Sequence, residues 1–298
     1  MIAFIQSLID GITIGSAYAL LALGFALIFG VLRRLNLAYG SSILIGAFAG
    51  AAVFAQLKSG GWAVAVATIV AAVAAGVYVE RLCFWAVRRG AAIASMVSSF
   101  AVWMQLDELL ALLFPGRTLA FPALVERSVF ELGPFQLRTE YVVMFALAVA
   151  LMAALEWMIR ATRFGLAVRA VTEHPEAARA MGVPVARIAF WAFLLASAVG
   201  GAAGYLMASA EEQVTLHSGM ALTFTGLIAM MIGGIGSLRG AVLGGLLLGV
   251  VETLAKAHLG AWHEFPVFGL LFLVLVLRPG GLLAQDFAAR DAAALRRV

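Results

Sequence analysis

Charge is what this 298-residue chain has least of. Its 20 Lys+Arg and 16 Asp+Glu make up 12% of the sequence, about half the usual ~25% of a soluble domain. Disorder needs low hydrophobicity and high charge, so it is excluded. Cysteine is nearly absent too: Cys83 alone gives neither an internal disulfide nor a thiolate metal cluster. The four histidines (His174, His217, His258, His263) show no His-x-x-x-His or Glu-x-x-His spacing, so no metal centre is expected. No Gly-x-Ser-x-Gly, Ser/Lys or Walker-type sequence occurs, which argues against hydrolysis or nucleotide binding by this chain.

What remains is 64% hydrophobic, with a mean hydropathy of +1.04. A soluble globule of this size cannot hide so much apolar surface, so the solvent for most of the chain is lipid. Backbone amides in lipid must be satisfied internally, and runs near 20 apolar residues are read as helices. Such runs lie at about 8–30, 37–57, 62–80, 91–114, 140–160, 187–210 and 264–280. A longer stretch from Ala221 to Leu254 is interrupted by Gly233-Gly234-Ile235-Gly236-Ser237-Leu238-Arg239-Gly240. A mid-span arginine is costly, so two shorter helices are expected to meet near Arg239. The fold class is therefore all-α: one transmembrane domain over 1–298, a polytopic bundle of about eight or nine spans with one broken or re-entrant segment. The strict ten-residue alternation of membrane-crossing strands is missing. The start of the chain reads as a retained span and not as a signal peptide.

The net charge of +4 and the basic pI of about 9.6 come from short loops between apolar runs, a topology signal and not a nucleic-acid footprint. Placing the 160–187 loop in the cytoplasm puts fifteen Lys/Arg on that side and five on the other. The N-terminus is then periplasmic and the C-terminus cytoplasmic. Two loops exceed a mere connection. The external loop 115–139 carries Pro115, Pro122 and Pro134 and is expected to be partly extended. In the cytoplasmic loop 161–186, Pro175 suits a first helical turn, with Thr172 or His174 as cap, and Glu176 suits the helix dipole. Gly182 and Pro184 are stop signals, which predicts a short helix over 175–181. It either docks on another protein or rests on lipid headgroups.

Small residues recur at four-residue spacing: Gly11 with Gly15, Gly46 with Gly50, Gly200 with Gly204, Gly236 with Gly240, Gly245 with Gly249. Close helix packing in lipid is their expected use. The glycine run at 233–240 is either a broken helix beside a translocation path or a tight turn between ordinary helices. Asp107, Glu108, Glu156 and Glu252 are in-span carboxylates, either ion relays or groups that reach an interface by tilt.

Several blocks together resemble the permease subunits of ABC importers for branched-chain amino acids. They are Gly15-Ser16-Ala17-Tyr18-Ala19-Leu20 through Gly24; Asn36-Leu37-Ala38-Tyr39-Gly40; and Phe164-Gly165-Leu166 through Val171 with Glu176-Ala177-Ala178-Arg179-Ala180-Met181-Gly182. Two more are Gly233 through Gly245 and Arg278-Pro279-Gly280-Gly281-Leu282. The likeness spans about 8–284. It implies a multi-pass subunit of a bacterial inner membrane without ATPase activity or a cofactor of its own. It further implies a second homologous permease, two cytoplasmic ATPase subunits that bind the ATP, and a periplasmic solute-binding protein. Glu176, Ala177, Ala178 and Gly182 would couple the chain to an ATPase. Asn36, Tyr39, Gln105, Thr225, Gly233, Gly234 and Gly236 would approach the pathway. Two departures stand out: Tyr39, Gly40 and Ser41 replace the frequent His and Gly-Glu, and Thr225 stands where a Lys is frequent. They leave room for urea, short amides or another amino or organic acid as solute. An ion-coupled transporter using Asp107 or Glu108 and a membrane-embedded enzyme are the rival classes.

Overall fold

The computed structural model describes residues 2–283, apart from 58–59, 88–91, 117, 126–128 and 133–134. Helices α1 (Ile2–Leu32), α2 (Tyr39–Leu57), α3 (Gly61–Val79), α4 (Ala92–Leu113) and α5 (Thr139–Ala161) come first. A π-helical turn, Glu80–Trp85, extends α3. Two short helices follow, α6 (Arg163–Glu173) and α7 (Pro175–Ala180), then α8 (Val185–Glu211), α9 (Ser218–Gly233), α10 (Leu238–Leu259) and α11 (Glu264–Leu277). Among the described residues seven helices are long and apolar enough to cross a membrane, while α9 and α11 are shorter. The bundle is all-α as expected; the span count of eight or nine depends on those two short helices.

The long apolar stretch does break, and α10 opens at Leu238 with Ser237 Oγ accepting from Gly240 N at 3.1 Å. The 115–139 segment is partly extended: β1 (Leu119–Ala120) pairs antiparallel with β4 (Gln213–Val214), and β2 (Val129–Leu132) with β3 (Phe135–Arg138). The loop 161–186 is mostly helix. Here the sequence reading missed α6, whose buried Gly165, Val168 and Val171 recur every third residue, and whose cap is Thr162 accepting from Gly165 N. Thr172 does not cap α7, because its hydroxyl is used on Val168 O.

Helix α1 is the axis, and its glycines explain how α10 lies against it. A Cβ on Gly245 would fall 2.4 Å from Ala19 Cα, and one on Gly249 would fall 2.3 Å from Gly15 Cα. Gly11 and Gly15 on one helix and Gly245 and Gly249 on the other thus form one seam, with backbone against backbone. Gly46 and Gly50 let α3 close on α2, Gly46 against the Thr68 carbonyl and Gly50 against the Thr68 side chain. Gly200 and Gly204 make room on α8 for the α2 side chains of Tyr39 and Ile43.

The architecture also contains a repeat that the sequence hides. Helix α1 ends on Arg33 (φ 54°) and α8 on Glu212 (φ 55°), the two non-glycine residues with positive φ among those described. A short non-helical segment follows each, and the next helix starts six residues later, at Tyr39 and at Ser218. Two further helices complete each half. Arg33 donates to Thr172 O at 2.8 Å, so α1 ends at the face from which α6 and α7 lead into α8. The two halves therefore run in opposite directions, the inverted arrangement common in transporters. Their broken starts touch, since Gly40 N donates to Thr223 Oγ1 at 3.0 Å.

Candidate functional site

One face of the bundle gathers the arginines. Arg33 reaches Thr172, Arg34 reaches Val87 O and Ser95, and Glu156 pairs with both Arg160 and Arg239. On this face α7 projects as a defined knob. Pro175 starts it, and His174 holds the cap position with no side-chain bond. Its end is a Schellman turn, with Val183 N donating to Ala178 O and Gly182 N to Arg179 O. Gly182 has φ 85°, a conformation that costs other residues about 1–2 kcal/mol. Ala178 is fully buried and anchors the knob, whereas Glu176, Ala177 and Gly182 are exposed and Met181 is 75% exposed. Of the four coupling candidates, three present themselves outward and one fixes their position.

The glycine run is a joint between helices. Gly234 (φ 123°) ends α9, Gly236 (φ 78°) turns the chain, and Gly233 packs directly on the Gly240 backbone. The terminal Arg-Pro-Gly-Gly-Leu motif closes on the same joint. Leu282 N and Leu283 N donate to Ile232 O and Gly233 O at 2.9 Å, and Gly281 stacks on Gly234. Two motifs far apart in sequence thus make one structure. Of its glycines, Gly236 reaches a cavity, the polar one of about 380 Å³ that it lines with Arg160, Arg169 and Arg239 on the arginine-rich face.

The four polar residues expected to share a pathway are not brought together. Tyr39 is 1% exposed and wedged between helices; its hydroxyl donates to Ala196 O at 2.9 Å, and its ring meets Phe25 edge-on. Asn36 is buried, with Oδ1 accepting from Ala38 N and Nδ2 without a partner among the described residues. Gln105 lies on the outside of α4 and accepts from Tyr78. Thr225 lines a cavity. Sequence reasoning found their polarity; their separation depends on contacts between distant helices.

That second cavity, about 220 Å³, lies at the end of the bundle opposite α7, between α1, α2, α8, α9 and α10. It holds an ion pair, Lys256 Nζ to Glu252 Oε1 at 2.6 Å, along with Glu211 and Tyr18. The Glu-x-x-x-Lys spacing on one helix face was the sequence signal for it. Asp107 accepts from the buried Ser41 hydroxyl at 2.6 Å, tying α4 to α2. Glu80, which sequence reasoning passed over, is buried on the π-helical turn beside Arg81, 3.6 Å away. No group of three or more His, Cys, Asp or Glu forms a metal-binding cluster among the described residues.

A polytopic bundle with inverted halves, broken helices and a rigid knob on its basic face defines a membrane transport protein. Comparison with known proteins narrows the class. The family model for "Branched-chain amino acid transport system / permease component" matches residues 7–277, and the chain belongs to that family. It is 30% identical to the high-affinity branched-chain amino acid transport system permease protein LivH of Escherichia coli K12 over 295 residues, 95% of this chain and 96% of that one. The permease protein BraD of Pseudomonas aeruginosa is 28% identical over the same share. The PsaBC structure from Streptococcus pneumoniae, in complex with Fab, covers 91% of this chain at a TM-score of 0.50 and 14% identity, a likeness of fold alone.

Proposed function

We propose that this chain is a permease subunit of an ATP-driven importer that brings branched-chain amino acids, or a small polar solute close to them, into a bacterial cytoplasm. Full-length similarity to permeases named for branched-chain amino acid transport supports the solute class. The observation that carries the mechanism is α7, a six-residue helix fixed at both ends and held out from the arginine-rich face. That face is cytoplasmic, the N-terminus periplasmic and the membrane the inner one. Two ATPase subunits bind the ATP and grip α7 through Glu176, Ala177 and Met181. A second, homologous permease completes the membrane unit, and a periplasmic binding protein delivers solute. Closure of the ATPases displaces α7, and α6 and α8 carry the movement into the two halves.

The ion-coupled alternative would rest on Asp107 or Glu108; Asp107 is engaged by Ser41, and Glu108 lies on the exposed side of α4. The test is uptake of radiolabelled L-leucine into proteoliposomes holding the whole complex. ATP alone should drive it, a proton gradient alone should not, and Asp107→Asn should keep more than half of it. Uptake driven by the gradient without ATP would replace this reading with the secondary transporter.

A further inference from the structure

The cavity opposite α7 carries chemistry that a mere passage does not need. Lys256 stands at its mouth, and Glu252, whose side chain is 17% exposed, lies further in. The Tyr18 hydroxyl faces Glu252, and Glu211 is within electrostatic reach of Lys256. Two carboxylates and one ammonium leave a net negative charge in a space bounded by helices, where ionisable groups are expensive to keep. Leu44, Ala47, Val214 and Leu222 form the apolar side of the same space. At about 220 Å³ it holds about seven waters, the scale of one small amino acid and far below a peptide or nucleotide. Helix α9 begins here, directly after the non-helical segment behind Glu212, and such discontinuities mark solute sites in transporters.

We infer that this cavity binds the zwitterionic head of an α-amino acid, its ammonium between Glu252 and Glu211 and its carboxylate on Lys256. The solute enters the ion pair and replaces its one charge contact with three. Its side chain lies against Leu44 and Leu222, while the Thr225 and Ser218 hydroxyls complete the polar side. The permease thereby tests the solute after any binding protein has released it. A simple carboxylate pairs with Lys256 alone and a neutral amide pairs with neither sign of charge, so each leaves charged groups of the site badly paired and is disfavoured. The inference rests on the proposed amino-acid import.

The test uses the membrane complex in lipid nanodiscs, without the soluble binding protein, and equilibrium binding of L-leucine, L-leucinol and isocaproate. L-leucine should bind at least tenfold tighter than either analogue. Glu252→Gln and Lys256→Met should each weaken it tenfold or more. The charge exchange Glu252→Lys with Lys256→Glu keeps an ion pair on α10 and serves as the control for folding. It should retain the thermal midpoint and lose leucine selectivity. Equal binding of the three probes, no leucine binding at all, or wild-type selectivity in the exchanged variant would each overturn the site. ATP-driven leucine uptake by the wild-type complex is measured in parallel. If uptake is normal and the site results fail, only the site falls. If the wild type imports no branched-chain amino acid, the proposed function falls with it.

Discussion

Tyr39 shows what a single polar residue does in this bundle. In sequence it is a scarce hydroxyl next to a family block, and a place on the pathway is the natural expectation. In the structure its ring fills the space left by Gly24 and Gly200, and its hydroxyl ties α2 to the α8 backbone. The partner carbonyl lies 157 residues away, a relation that no local pattern encodes. Tyr39→Phe keeps the ring and loses one hydrogen bond, about 1 kcal/mol. Thermal unfolding in detergent should therefore shift slightly, with uptake within twofold of wild type. Tyr39→Ala should cost about 3–5 kcal/mol by opening a cavity. A large transport defect in Tyr39→Phe at unchanged stability would assign the hydroxyl to the pathway after all. Glu252 makes the opposite case. Its spacing to Lys256 was readable, yet nothing local placed Glu211 and Tyr18 around it.

At the scale of elements, the small-residue pairs were legible as packing surfaces, but which surface met which was not. Gly11, Gly15, Gly245 and Gly249 form a seam between α1 and α10, elements more than 200 residues apart in the chain. Adding one methyl at Gly245 would put carbon 2.4 Å from backbone atoms of Ala19, where no flexible side chain can yield. Gly245→Ala should cost about 1–3 kcal/mol or more, read as a lower unfolding midpoint in detergent and poor recovery from membranes. The knob α7 behaves differently, because nothing lies within 4 Å of an added Cβ at Gly182. Gly182→Leu has space but the wrong backbone preference, so it should re-aim the end of α7 while leaving the spans folded. The expected result in proteoliposomes is ATP hydrolysis that no longer keeps pace with uptake, most coupling being lost. Glu176→Gln should keep most of it, since the helix is held by Pro175, Ala178 and its Schellman end. Normal coupling in Gly182→Leu would return α7 to a lipid-surface role. Helix α6 was missed because the loop was read for stop signals and not for its three-residue periodicity, and its apolar stripe is narrow.

For the whole molecule, composition and apolar runs gave the fold class and nearly every helix boundary, because lipid leaves the backbone so few options. The inverted repeat was illegible, since each half keeps its shape with different residues: Arg33 answers Glu212, and Tyr39 answers Ser218. A left-handed turn followed by a short extended segment is a backbone event, and it leaves little trace in hydropathy. The orientation proposed from the arginine bias has a direct check. Cysteines placed at Ala177 and Met181 should react with a membrane-impermeant maleimide only in inside-out vesicles. A cysteine at Ala120, on the strand paired with Gln213, should react only in right-side-out ones. The reverse pattern would invert the molecule and move α7 away from any cytoplasmic partner.

The closing of the glycine joint by Leu282 and Leu283 has a consequence in time. The carbonyls they satisfy, on Ile232 and Gly233, leave the ribosome fifty residues earlier. At ~5–20 residues per second that gap is roughly 3–10 s, during which the end of α9 lacks two of its hydrogen bonds. An unsatisfied carbonyl in hydrocarbon costs several kcal/mol, so α9 has reason to stay in a wet or protein-lined place until α10 and α11 have followed it. Helix α9 is then expected to settle only after helices that follow it in the chain. The helix that ends on Gly233 is finished only when the chain beyond α11 arrives to close it.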